Sequence, residues 1–320
     1  MKQTRRRFIG NTITAAAAWT VLGPAVRVGG QTFVGSQGPQ VPVRLGGPHF
    51  SNTQDPEELA KVHRQLGYRA AYCPSIPLKD SERIRAFERA FAKHGVVMAE
   101  VGRWVNLLDA DPEKRRKNLE TVIDGLALAE AIGALCCVDI AGSYSPTSWF
   151  GPHPDNLTEK HFDAAVENAR KIIDAVKPSR AKFCYEMMGW SYPDSVESSV
   201  KLVRAVDRKG FGVHLDPCNL VQSPERFYRN KDLLNNCFEK LGRWIVSCHA
   251  KDLSWEVEMN VHFKEVIPGR GALDYRTFLQ GLAKLPQNPP LMLEHLANAE
   301  EYAEGRKYIM GVGKELGLEF

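Results

Sequence analysis

Residues 181–220 read AKFCYEMMGWSYPDSVESSVKLVRAVDRKGFGVHLDPCNL, and the reading of this stretch decides the fold. An apolar run at 181–187 precedes an amphipathic stretch at 194–209, and a second apolar run follows at 212–216. Runs of this length between turn signals read as buried strands, and the longer stretch reads as a helix lying over them. Two strands joined through a helix run parallel, because a parallel pair needs a crossover of a dozen or more residues. The two runs end in carboxylates, Glu186 and Asp216, which are costly to bury alone.

Outward from this unit the same rhythm repeats. Strand-like runs are expected at 41–45, 70–73, 96–101, 135–140, 244–249 and 291–295, with helices near 55–66, 80–94, 112–132, 158–177, 224–241, 274–285 and 298–316. Asp55-Pro56, Asp111-Pro112 and Tyr192-Pro193-Asp194 place an acid and a proline where a helix begins. Gly67, Gly95, Gly133 and Gly210 fall just after helices, where a left-handed cap wants glycine. Eight alternations predict an α/β fold, a (β/α)8 TIM barrel forming a single domain over residues 31–320. A doubly wound sheet would show a glycine-rich phosphate turn after its first strand. Gly46-Gly47-Pro48-His49 lacks that spacing and has no N–H at Pro48.

The composition of the 320 residues, 43% hydrophobic and 25% charged, excludes a disordered chain, a collagen and a polytopic membrane protein. The formal charge of +4 includes Arg5, Arg6 and Arg7, so the remainder is nearly neutral and offers no basic face to nucleic acid. Residues 1–30 read as a signal peptide: a basic start, a modestly apolar run from Phe8 to Val26, and small residues near Gly23-Pro24-Ala25. The paired arginines before Phe8 resemble the twin-arginine export signal, which implies a folded protein delivered to the periplasm, with no stable membrane association after cleavage. Seven cysteines in an odd set without CxxC, mostly inside strand-like runs, read as small core residues and not as disulfides.

The chemistry gathers at the carboxyl ends of the last four barrel strands, where a barrel presents its site. Glu186, Asp216, His249 and Glu294 offer three carboxylates and one imidazole. That donor set suits one divalent ion, Mn²⁺, Co²⁺, Mg²⁺ or Zn²⁺, and three converging carboxylates without a cation would repel one another. His214 shares the inward face of its strand with Asp216 and reads either as a support for the site or as a core histidine. Lys251 shares a face with His249 and is placed to reach a substrate oxygen. His49, Glu100, His153, Asn219, Arg270 and His262 are further candidates to contact substrate. Trp104, Trp149, Trp190, Tyr192 and Trp255 fall in or near loops after strands, where flat rings can stack on a pyranose. The segment 141–157 is long enough to serve as a lid.

The motifs YEMM with Glu186, GVHLDPCNL with Asp216, SCHAKD with His249, VIPGRGALDY at 266–275 and LMLEH with Glu294 resemble the sugar phosphate isomerase/epimerase family of xylose isomerase-like barrels, over residues 40–317. The resemblance implies that Glu186, Asp216, His249 and Glu294 hold one ion, often Mn²⁺, and that Glu186 and Glu294 exchange protons with carbon through an enediolate. It also implies a small carbohydrate substrate and the homo-oligomers common among relatives. The expected activity is isomerisation or epimerisation of a keto sugar, non-phosphorylated because the periplasm offers few sugar phosphates. Asn219 stands where ketose 3-epimerases place a histidine, and an amide cannot carry a proton. A lyase or hydratase acting on 3-keto-glycosides, and a sugar-binding barrel without catalysis, are the alternatives. The endonuclease IV-like branch needs histidines near strands two and three, where this chain has Tyr72-Cys73-Pro74 and Glu100-Val101-Gly102.

Overall fold

The protein is described here by a computed structural model over residues 41–320; the leader expected at 1–30 lies outside the described residues. In chain order the elements are β1 (Leu45–Gly46), α1 (Pro56–Gln65), β2 (Ala70–Tyr72), α2 (Ser81–Lys93), β3 (Val97–Gly102), α3 (Pro112–Ile132), β4 (Cys136–Asp139) and α4 (Glu159–Val176). There follow β5 (Lys182–Glu186), α5 (Val196–Val206), β6 (Phe211–Leu215), α6 (Pro224–Tyr228), α7 (Asn230–Leu241) and β7 (Ile245–Ala250). The chain ends with β8 (Asp252–Trp255), β9 (Phe263–Val266), α8 (Tyr275–Leu282), β10 (Leu291–Leu293) and α9 (Ala299–Glu315). Eight of these strands close a parallel barrel in the order β1-β10-β7-β6-β5-β4-β3-β2, while β8 and β9 pair antiparallel as a separate hairpin. The (β/α)8 TIM barrel read from the sequence is the observed fold.

Local chemistry explains where the elements start and stop. Asp55 and Asp111 accept from the backbone N–H groups of Glu58 and Glu113 at 2.9 and 2.8 Å, with a proline in the first turn of each helix. Gly133 caps α3 at φ 78°. Two expected boundaries differ. Gly210 is not a left-handed cap, because Asp207 already ends α5 at φ 48°. The turn at Tyr192-Pro193, a cis peptide, precedes α5 and does not begin it; Ser195 caps the helix, its hydroxyl accepting from the Ser198 N–H at 3.1 Å. The first strand is also shorter than the run 41–45. Val41 and Val43 donate to Ala283 and Glu319 outside the barrel, which leaves Leu45 and Gly46 to join it.

Apolar faces of the helices pack on the outside of the barrel, for example Ile84, Phe87 and Phe91 of α2 in one cluster with Val101, Phe183 and Tyr185. The hairpin was not foreseen, because Asp252–Trp255 and Phe263–Val266 are joined by seven residues without a glycine turn signal. All seven cysteines carry free thiols, six of them buried. Among the described residues no helix is long and apolar enough to cross a membrane.

Gly46 marks a tight approach in the barrel wall. A Cβ there would sit 2.5 Å from the Met292 sulfur and 2.6 Å from the Ala70 carbonyl oxygen, and the latter is backbone that cannot swing aside. Gly46→Ala is therefore expected to lower stability by about 1–3 kcal/mol through overpacking, measured by denaturant unfolding; an unchanged midpoint would show that β1 moves freely.

Candidate metal centre

Strand register brings the chemistry to one level at the carboxyl end of the barrel. Glu186 pairs with His214 across β5 and β6, two residues before Asp216, and His249 pairs with Met292 across β7 and β10, two residues before Glu294. Nδ1 of His249 lies 2.7 Å from Glu186 Oε1, 2.9 Å from Glu294 Oε1 and 3.9 Å from Asp216 Oδ2. One donor atom from each of the four residues falls within 4.8 Å of all the others. His295, immediately after Glu294, adopts φ 57°, a left-handed conformation that a non-glycine residue takes at a cost and that is found at functional sites.

The other nitrogen of His249 is fixed from below. Its Nε2–H donates to Glu100 Oε1 at 3.1 Å, while Glu100 Oε2 accepts from His214 Nε2 at 3.0 Å and from the Ser247 hydroxyl at 2.9 Å. Burial works against the charge on Glu100, but facing His214 and His249 hold its carboxyl well below the usual range. An ionised carboxylate only accepts, so Nε2 of His249 carries a proton toward Glu100; Nδ1 faces the other three carboxylates, and a cation among them would take the place of its proton. A carboxylate behind a histidine whose far nitrogen faces open acceptors is the arrangement that orients a metal ligand.

The residues fit a divalent cation on charge as well as direction. Asp216 Oδ1 accepts from the N–H groups of Cys218 and Asn219 at 3.0 and 3.3 Å, leaving Oδ2 to face the cluster. Asp216 Oδ2 and Glu294 Oε1 are buried without a directed hydrogen bond. Lys251 Nζ stands 2.7 Å from both, close enough to attract them but outside hydrogen-bond direction. Burial pushes the Asp216 carboxyl up to about 6; Lys251 opposes that rise, and Glu186 and Glu294 add to it. Burial disfavours the charge on Glu186 too, yet His249 and Lys251 keep it well below the ordinary value. Glu100, Glu186, Asp216 and Glu294 against Lys251 and the His249 imidazole, which these carboxylates hold protonated, still leave two negative charges to be compensated, in an interior where each uncompensated ion costs several kcal/mol. The site can hold a divalent metal, with Glu186, Asp216, His249 Nδ1 and Glu294 as its ligands.

This floor opens into a chamber of about 1280 Å³. Of the residues expected to contact substrate, Trp104, Asn219, Lys251 and His262 line it, as do Trp149 and Trp190. Asn219 Nδ2 donates to the Met187 carbonyl at 2.9 Å and lies 3.5 Å from Glu186 Oε1. Others stand elsewhere. Glu100 reaches the chamber, but its oxygens are taken by His214, Ser247 and His249, so it supports the site from beneath. His214 is wholly buried in that same support and is not a substrate contact. His49 turns to Ser51 at 3.1 Å and packs edge-on to His63, lining a smaller cavity between α1 and α2. His153 caps a short turn by accepting from the Asp155 N–H at 3.2 Å. Arg270 forms a two-pronged pair with Glu304 at 2.6 and 2.7 Å on the outer surface, away from the chamber. Tyr192 donates to the Leu157 carbonyl, and Trp255 lines a groove on the hairpin. The segment 141–157 delivers Trp149 and Phe150 to the chamber and is anchored by buried Asn156, whose amide donates to the carbonyls of Gly151 and Trp190 at 3.0 and 3.1 Å.

Sequence reading missed Glu265 and His295, which pair at 2.9 Å at the chamber mouth. Glu265 comes from the unforeseen hairpin, and His295 was visible as the residue after the last strand-end acid. A second acidic grouping, Glu256, Glu258 and His262, lies at the hairpin tip, half-buried to exposed.

A profile of the xylose isomerase-like TIM barrel family matches residues 60–311. No curated protein sequence matches the chain. Among solved structures, a xylose isomerase-like TIM barrel protein from Mycobacterium smegmatis in complex with magnesium is 19% identical, with a TM-score of 0.60 over 85% of this chain and 96% of that one. The 3-keto-D-glucoside 4-epimerase of E. coli is 11% identical, with a TM-score of 0.63 over 85% and 99%. Endonuclease IV from Thermus thermophilus is 18% identical, again at 0.63 over 85% and 99%. At these identities the likeness establishes the fold.

Replacing Glu100 by Gln removes the charge that fixes His249 while leaving all four ligands in place. Calorimetric titration of Glu100→Gln with Mn²⁺ is expected to show affinity reduced by about 10–100-fold, and Arg270→Ala should titrate as the parent does.

Proposed function

The chain belongs to the xylose isomerase-like TIM barrel family, and on that premise we propose that it is a divalent-metal-dependent sugar isomerase or epimerase acting on a non-phosphorylated keto sugar or sugar derivative. The observation that carries this reading is the convergence of Glu186, Asp216, His249 and Glu294 at the floor of a chamber large enough for a carbohydrate. A divalent ion bound by these ligands supplies Lewis-acid stabilisation of the charge that grows on a carbonyl oxygen when the neighbouring carbon loses its proton. We take that ion to be Mn²⁺.

The rest of the chemistry belongs to the protein. Glu186 and Glu294 project from β5 and β10, three places apart round the barrel, so a sugar lying over His249 meets a carboxylate from two sides. One carboxylate removes the proton beside the carbonyl and the other returns it. Return to the opposite face of the same carbon inverts the centre; return to the neighbouring carbon exchanges ketose for aldose. Lys251 Nζ, beside Asp216 and Glu294, donates to a substrate oxygen, and the Asn219 amide positions a hydroxyl without exchanging a proton.

Two features support a neutral substrate. Lys251 is the one lysine, and no arginine appears, among the described residues lining the chamber. Arg270, the arginine that the sequence offered as a substrate contact, is held by Glu304 away from the chamber. The same lining speaks against a nucleic-acid groove, which needs many basic contacts. Delivery to the periplasm by the leader at 1–30 belongs to this proposal and agrees with a sugar that lacks phosphate. Elimination from a 3-keto-glycoside is the second reading, because the same proton removal expels a leaving group on the next carbon and the chamber has room beyond a sugar ring.

In D2O the metal-loaded protein is expected to place deuterium on the carbon beside the carbonyl of an intact keto sugar, followed by NMR. Glu186→Gln and Glu294→Gln should each lower that exchange by about 10²–10⁴-fold while sugar still binds. Release of aglycone or an unsaturated product would establish the lyase reading. Binding with no exchange and no product would establish a sugar-binding barrel and end the enzymatic account.

A further inference from the structure

We propose that the sugar handled by this site carries an aromatic substituent, so that its substrate class is an aryl keto-glycoside; the inference rests on the reading above and names the substrate for it. The first observation is size. Clefts of roughly 300–1000 Å³ enclose drug-sized ligands, and this chamber is about 1280 Å³, well beyond one sugar ring.

The second observation is how chemistry is distributed in the chamber. Charged and proton-carrying groups form its floor, as Glu186, His249, Lys251 and Glu294, and the hairpin side adds Glu265 and His262 together with apolar Leu253, Val261 and Phe263. The loops after β3, β4 and β5 contribute Trp104, Trp149, Phe150 and Trp190 to the same lining. Trp104 begins this wall beside the metal ligands, its ring centre 6.3 Å from that of His249. Trp149 and Phe150 stand edge to face at 5.1 Å. All four rings keep considerable exposure, 42% for Trp104 and 57% for Trp190. Large apolar rings left open to water around one chamber beside a reactive site mark a ligand contact. One or two rings suffice to stack on the C–H face of a sugar held at the floor; the remaining rings call for a flat apolar group joined to it.

The third observation fixes the nature of that group. The loops bearing Trp149, Phe150 and Trp190 are tied together by Asn156, whose amide donates to Gly151 on one loop and Trp190 on the other. The backbones that carry these rings are thus held together at one side of the chamber. With no arginine and one lysine, itself engaged by Asp216 and Glu294, the lining offers little to hold a phosphate or carboxylate extension. A neutral aryl group matches both the rings and the charge.

The test uses the full chain loaded with Mn²⁺ and calorimetric titration with phenyl β-D-glucoside and methyl β-D-glucoside. The expected result is binding of the phenyl compound tighter by about tenfold or more. Trp149→Ala and Trp190→Ala should erase that preference, the corresponding Phe variants should keep most of it, and Mn²⁺ affinity should stay unchanged in all four as proof of an intact barrel. Equal affinity for the two glucosides, no binding of either, or a preference that survives both Ala substitutions would overturn the proposal. Failure of the two readings is distinguishable. A phenyl preference with neither deuterium exchange nor product release would sink the enzymatic reading alone. Exchange on free ketoses as fast as on aryl keto-glycosides would sink this inference alone.

Discussion

Carboxylate oxygens of Glu186, Asp216 and Glu294 meet Nδ1 of His249 within 4.8 Å of one another, inside a barrel where an uncompensated charge costs several kcal/mol. The rest of the site follows from managing that repulsion. Lys251 moves a positive charge to within 2.7 Å of two of the carboxylates. Glu100 holds the far side of His249 with help from His214 and Ser247, so that the open nitrogen faces the cluster. The hydrogen bonds to Asp216 use one oxygen and spare the other. Polar groups placed with this care in a core would be a weakness in the fold unless a cation gathers them, and the parallel register that sets their common depth is what makes gathering possible.

Above the floor, loops after β3 to β5 present aromatic rings, while the hairpin β8–β9 and the end of β10 present the Glu265–His295 pair together with Leu253, Val261 and Phe263. A sugar has an apolar face and polar edges, and in the proposed reading rings receive the face while Lys251 and Asn219 reach the hydroxyls. The wide mouth leaves space for what the sugar is attached to. Loop identity, and not the barrel, therefore decides the substrate, as expected for a fold that hosts many chemistries.

Much of this was legible in the chain. Strand-end acids at 186, 216 and 294 and the histidine at 249 stand out because each closes an apolar run, and period-two alternation placed His214 and Lys251 on inward faces. What alternation cannot report is depth along that inward face. Glu100 and His214 point inward as expected but sit one layer below the ligands, where they contact His249 and one another. Loop histidines were less legible still: His49 and His153 satisfy their own turns, and local hydrogen bonding of that kind leaves no periodic trace. Arg270 was misplaced because the PGRG turn wraps its backbone N–H groups around Asp252, at 2.9 Å from Gly269 and 3.1 Å from Gly271, which turns the arginine outward to Glu304. The hairpin was hidden by the absence of a glycine or proline turn between its strands, and Glu265 was hidden with it.

The central claim is that one divalent ion sits among Glu186, Asp216, His249 and Glu294. Anomalous diffraction at the manganese edge, from crystals of the full chain grown with Mn²⁺, tests it most directly. The account predicts one strong peak within bonding distance of His249 Nδ1 and an oxygen of each of the three carboxylates. A peak confined to Glu256, Glu258 and His262 at the hairpin tip, or no peak in the barrel, would contradict it.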